Sequence, residues 1–209
     1  MSGLFVMPNA KTKTSKTLSK ADKTTLLDDA VFYEILFALG VSSHDRADYC
    51  AWEHVNFSRM GHARALIYFF ECGLSSKKWD DDIVSEDFRF RASQIGISQQ
   101  DRDRLNKDLF HLSSLRLRHT SRTKPWTNDI LNRVHERTVS FIRFLLGSNC
   151  PQDFCVSNSK WKSLLERLES GHELLISRSF GLDGSDTGWL LGTGRPSRMS
   201  GLTILERKT

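Results

Sequence analysis

The sequence predicts an all-α protein, a helical bundle of four to five helices with a disordered basic N-terminal arm and a Gly/Ser-rich C-terminal tail. Three observations carry that expectation. Apolar residues recur at helical spacing in successive stretches of the middle of the chain. No stretch keeps up the strict alternation of a half-buried strand. Both ends are short of the apolar residues that packing needs. The expected division is therefore a flexible basic arm over 1–20, one helical domain over 21–170 and a flexible tail over 171–209.

The arm holds Lys11, Lys13, Lys16 and Lys20 among serines and threonines, with no acidic residue. It either adds non-specific phosphate affinity or only solvates. The first helix is expected from near Ala21, where Leu26, Leu27, Phe32, Ile35, Leu36 and Leu39 share a face and Gly40 supplies a stop. A longer second helix is expected from about His44 to Cys72, striped by Trp52, Val55, Met60, Ala63, Leu66, Ile67 and Phe70. Residues 74–97 mix charges with isolated aromatics and lose the helical period.

A third helix follows, opened by Ser98 and Asp101 in a capping-box-like pair. Beyond Pro125 a fourth helix starts at Thr127 as N-cap, carries Ile130, Val134, Phe141, Ile142 and Leu145 on one side, and ends at Gly147. A short fifth places Trp161, Leu164, Leu165 and Leu168 on one face. From Gly171 onward no period remains. "GTGRPS" there lacks the strand and helix that a nucleotide-binding loop needs on either side.

A chain of 209 residues, 39% hydrophobic and 26% charged, suits one domain with a real core. No apolar run approaches the roughly 20 residues that cross a bilayer. The N-terminal "GLFVMP" is short for a signal-peptide core, so a cytoplasmic protein without a membrane partner is expected. Cys50, Cys72, Cys150 and Cys155 have no CxxC spacing, which points to idle thiols rather than zinc ligands or disulfides. The net charge of +5 and pI near 9.1 are compatible with a nucleic-acid partner without requiring one.

The third helix, "DRDRLNKDLFHLSSLRLRH", puts Arg104 and His111 seven positions apart. In a regular α-helix that spacing returns to within about 20° of the starting direction. Asp108 falls near the same line, while Leu105, Leu109 and Leu112 make the core-facing stripe. A guanidinium grips phosphate in a bidentate fork, and an imidazole accepts or donates a proton near neutrality. Together they suit RNA cleavage without a metal. A solvated, charged helix is the plainer account of the same spacing.

In order along the chain, "GHARALIYFFE", "DDIVSEDF" and "RLNKDLFHLSSLR" followed by "KPW" resemble a branch of the HEPN-domain proteins over roughly residues 29–146. The resemblance implies a helical bundle of the kind used by RNases in antiviral and toxin–antitoxin systems. The family motif is an arginine followed a short way on by a histidine, and Arg104, six residues and His111 fit it. It implies that Arg104 binds phosphate, that His111 transfers the proton and that two copies of the motif face each other in a homodimer. No cofactor or metal is implied, and an antitoxin or other protein is a possible partner. Many active members carry a polar residue directly after the arginine. Here that residue is Leu105, and Asn106 comes next.

Asn106 and Asp108 are the supporting residues of the expected site. Arg116, Arg118, His119, Arg122 and Lys124 form a basic stretch beyond it that either tracks an RNA backbone or favours a helix C-terminus. Trp126 after it is either a stacking surface or a core plug. The acidic "WDDDIVSED" is expected as a solvated loop that opens a short helix. His54 and His62 are expected to be structural or exposed, and His135 to lie at the surface. Two functions stand: a metal-independent endoribonuclease, and a catalytically silent HEPN-like module that binds a protein or nucleic acid.

Overall fold

Ser19 starts the first helix. Its Oγ accepts the Asp22 N–H and the Asp22 carboxylate accepts the Ser19 N–H, both at 3.1 Å, which is a reciprocal capping box. From there α1 (Lys20–Thr25), a wider π-helical segment (Leu26–Val31) and α2 (Phe32–Leu39) form one continuous rod. The rod stops where Gly40 turns to an extended backbone and donates its N–H to Leu36 O. The structure is a computed structural model, and it describes residues 18–42, 49–108, 128–151, 154–171, 174–180 and 186–191.

The long α3 (Tyr49–Glu71) packs on α2, and α5 (Asn128–Leu146) packs on both and on α6 (Asn158–Glu169). Between α3 and α5 lies α4 (Gln99–Asp103), which continues into a π-helical turn (Arg104–Asp108). These five helical segments make the all-α bundle that the sequence predicts. Leu66, Ile67, Phe70, Ile130, Val134 and Ile142 are buried together, as their spacing requires. Leu165 lies at the edge of the core and is partly buried.

Phe141 is the centre of the core. Its ring meets Phe90 at 5.2 Å, Phe69 at 5.4 Å, Phe70 at 5.7 Å and Trp161 at 6.4 Å, all edge to face. Each such pair adds about 0.5–1.5 kcal/mol beyond its buried area. The four rings come from α3, the following loop and α6, so one side chain of α5 ties three parts of the chain together.

That loop, residues 72–98, lacks a helical period and is nonetheless closely tied. Glu86 accepts the Leu74 N–H at 2.9 Å and the Ala92 N–H at 3.3 Å. Asp87 accepts the Val84 N–H at the start of a 3₁₀ turn (Ser85–Phe88) and both its oxygens meet Lys77 Nζ, at 2.9 and 2.8 Å. The acidic run does open a short helix, as expected. It is not merely solvated, because its carboxylates replace the water that loop N–H groups would otherwise bind.

Besides the bundle, three short segments pair as a sheet: β1 (Val41–Ser42) parallel to β2 (Leu175–Phe180), and β2 antiparallel to β3 (Asp186–Leu191). Val41 is in register with Leu175 and Ile176 with Leu191. β2 and β3 fall inside the stretch expected as a tail without regular structure, and at these residues the structure differs from that expectation. The cause is main-chain pairing, which needs no alternation of side chains.

Candidate functional site

Ser98 opens α4 as expected: its Oγ accepts the Asp101 N–H at 3.1 Å and donates to Asp101 Oδ2 at 2.7 Å. This cap leaves three exposed or half-buried residues before the chain reaches Arg102, whose guanidinium clasps Glu71 of α3. Arg102 Nη2 is 2.7 Å from Glu71 Oε1 and 2.9 Å from Gln94 Oε1, and Nη1 donates to Glu71 Oε2. The Glu71 hydrogen bond raises the pKa of Arg102 above its ordinary value, against the opposing effect of burial. Glu71 also accepts the Ile95 N–H at 2.8 Å, so it fixes the loop and the helix after it at once.

Four residues on from Arg102, Asn106 Oδ1 accepts the Nε–H of Arg64 at 2.8 Å. On α3 the partners run from Arg64 to Glu71; on the facing helix they run from Asn106 back to Arg102. The two helices are therefore antiparallel, with Leu66, Ile67, Phe70 and Leu105 buried. Leu109 and Leu112, expected to complete that stripe, lie outside the described residues.

Arg104 lies between these two clasps. It is only 9% exposed, and its Nη1 stands 3.8 Å from Asp101 Oδ1. Leu105 next to it is 2% exposed and faces the core. The arginine is thus carried on a helical turn whose next residue is in the core. Of the supporting residues, Asn106 is exposed but engaged by Arg64, and Asp108 closes the π turn.

His111 lies outside the described residues, as do Arg116, Arg118, His119, Arg122, Lys124 and Trp126. The alignment of Arg104 with His111 rests on a regular helical step, and the turn that begins at Arg104 is not regular. Its i→i+5 hydrogen bonds take in one residue more than an α-turn, which sets the phase back by about one residue step, about 100°. Such wide turns are frequent at functional sites, although the one at Leu26–Val31 belongs to a plain packing rod.

His62 and His135 have structural partners, while the side chain of His54 lies outside the described residues. His62 Nδ1 and Glu34 Oε2 are 2.9 Å apart, beside the rings of Tyr33 and Phe37. His135, expected at the surface, is half-buried, and its Nε2 donates to the Leu168 carbonyl at 3.1 Å. The correction has a simple origin: a carbonyl in the last turn of α6 needs a donor, and α5 supplies one. Among the described residues no group of His, Cys, Asp and Glu is arranged to hold a metal ion, and no helix is long and apolar enough to cross a membrane.

Sequence reasoning missed the clasp of Glu71 with Arg102 and the position of Trp79. The tryptophan stands 61% exposed on the loop before Asp82. Comparisons with protein-family models, with curated proteins and with solved structures found no match to the chain.

Proposed function

We propose that the chain is a metal-independent endoribonuclease of the HEPN type, cytoplasmic and homodimeric, working in defence or with an antitoxin partner. Arg104 holds the scissile phosphate and His111 moves the proton. The RNA 2′-oxygen attacks phosphorus as it loses its proton, the bond to the 5′-oxygen breaks, and that oxygen takes up a proton as it leaves. The products are a 2′,3′-cyclic phosphate and a free 5′-hydroxyl. Arg116, Arg118, His119, Arg122 and Lys124 follow the RNA backbone beyond the cut.

The observation that supports this most is the setting of Arg104. It is withdrawn from solvent at the margin of the core, with the Asp101 carboxylate 3.8 Å from its Nη1. A cation held out of water binds an anion more strongly than a solvated one, because the local dielectric is lower. The turn that carries it is clasped on both sides, which spares the ordering cost of a loose side chain.

A second reading, the silent binding module, has its own observation. Leu105 follows the arginine and is buried, so no polar group there faces a substrate. One experiment separates them. The chain and its His111→Ala variant are incubated with labelled single-stranded RNA in EDTA. Cleavage by the parent alone, with cyclic-phosphate ends, is the expected result. RNA binding with no cleavage by either protein would leave only the module.

A further inference from the structure

We infer that the cleft between α3, α4 and the Trp79 loop binds one nucleotide of single-stranded RNA, with the base stacked on Trp79 and the backbone held by Arg64 and Lys78. The inference takes its ligand class from the proposed function; the cleft borders the Arg104 turn through Leu105 and Asn106 and adds Trp79, Arg64 and Lys78.

The cleft has a volume of about 560 Å³, within the range of small-ligand sites. Ile67 and Leu105 form its floor, and Arg64, Lys78, Arg102 and Asn106 stand on its walls. Two carboxylates also face it. Glu71 is engaged by Arg102 and by the Ile95 N–H, and Asp82 by the Tyr68 hydroxyl and the Trp79 N–H. Among the described residues that line the cleft, three cations stand beside these two carboxylates, a mixture that suits a phosphodiester strand.

A single exposed apolar side chain is ordinary on a protein surface. Trp79 differs in how it is presented. Its N–H donates to Asp82 Oδ2 at 2.9 Å, its carbonyl accepts the Asp82 N–H at 3.2 Å, and the neighbouring Lys78 N–H donates to Tyr68 Oη at 3.0 Å. The Tyr68 hydroxyl in turn donates to Asp82 Oδ2 at 2.5 Å. Four hydrogen bonds thus fix a turn whose largest side chain stays in water, with Lys78 Nζ 5.6 Å from the ring centroid. An aromatic face fixed next to cations is the arrangement on which unpaired bases stack, whatever their identity. A base inside a duplex is stacked on both faces and cannot use it.

The test uses the full chain carrying His111→Ala, so that RNA is not consumed. Anisotropy is measured with a fluorescein-labelled oligouridine of single-stranded form. Trp79→Ala is expected to weaken binding between about fivefold and a hundredfold, while Trp79→Phe stays near the parent. Arg64→Gln and Lys78→Gln are each expected to flatten the salt dependence, by about 0.7 in the slope of log affinity against log salt. Equal affinities of parent and Trp79→Ala would overturn the inference, and so would a parent that fails to bind. Uridine monophosphate binding as tightly as the oligonucleotide would assign the cleft to a free nucleotide and overturn the strand. Because only binding is read, a chain that binds through Trp79 but never cleaves loses the nuclease and keeps this cleft. A chain that cleaves with Trp79→Ala at parent affinity does the reverse.

Discussion

Arg102 and Glu71 form a two-pronged ion pair between α4 and α3, and the carboxylate partner is 7% exposed. Glu71 has a second task, the Ile95 N–H. Replacing it by Ala therefore strands a guanidinium and a main-chain donor together. The pair is only part-buried and Arg102 keeps Gln94 Oε1, so a stability loss of about 1–3 kcal/mol is expected. Glu71→Gln, which keeps an acceptor for Ile95, should lose roughly half of that. Urea unfolding with an unchanged slope is the measurement, and equal losses for the two variants would show that the charge carries the whole effect.

Asp28 does for α6 what Glu71 does for α4. Its Oδ2 accepts the Ser157 Oγ–H at 2.7 Å and the Ser157 N–H at 3.1 Å, and its Oδ1 accepts the Trp161 Nε1–H at 2.7 Å. Trp161 is fully buried against Phe32 and Phe141. Trp161→Phe keeps an aromatic ring and loses the hydrogen bond, so about 1–3 kcal/mol is expected. Trp161→Ala also leaves a cavity and should cost about 3–5 kcal/mol. Near-equal losses would mean that the hydrogen bond, not the ring, holds α6 in place.

How far the sequence discloses these arrangements depends on the distance between partners. The helical rods are legible because their apolar residues repeat every three or four positions, and the Ser98–Asp101 cap because its partners are three apart. The order of residues 72–98 is not legible. Glu86 reaches back to Leu74 and forward to Ala92, and Glu71 reaches Ile95, with no local spacing to betray any of these. The same holds for Arg102 and Arg104. Both sit in one charged run, and only a glutamate 31 residues earlier decides which of them is clasped. The π turn is hidden because it is five residues long, too short for a change of period to show in the sequence. For β2 and β3 a signal exists in the Asp183–Gly184 pair between them, a dipeptide favoured in hairpin turns.

Tyr68 and Asp82 give the Trp79 loop a pH dependence at both ends. Burial of the hydroxyl, and then its bond to Asp82, raise Tyr68 above its ordinary 10.0; that bond in turn lowers Asp82 below 3.8. The native state holds the tyrosine proton longer than the unfolded chain, so this contribution is lost as pH rises above about 10. It releases the aspartate proton more readily, so the other contribution is lost as pH falls below about 4. Absorbance titration should show a tyrosinate step displaced above 10.0 that vanishes in Tyr68→Phe. Asp82→Asn should return that step toward its ordinary position. A Tyr68→Phe titration curve with every step still in place would refute the assignment.

Under the proposed function Asp101 is a competitor of the phosphate for Arg104. It competes for the guanidinium at 3.8 Å, too long for a hydrogen bond but close enough for attraction in a site withdrawn from water. Asn at this position keeps an oxygen for the Ser98 Oγ–H and removes the charge. Two effects of opposite sign are expected. The first turn of α4 loses an acidic residue that favours its N-terminus, which should cost up to about 1 kcal/mol of stability. Meanwhile, with His111→Ala in the background, RNA affinity should rise several-fold, because the phosphate no longer displaces a like charge. Arg104→Gln alone should weaken binding, and adding Asp101→Asn to it should then change nothing. That non-additivity is the decisive readout, since the proposed function has the carboxylate act on RNA through the arginine. If Asp101→Asn strengthens binding by the same factor with Arg104 absent, the arginine does not touch the phosphate, and its assigned role falls.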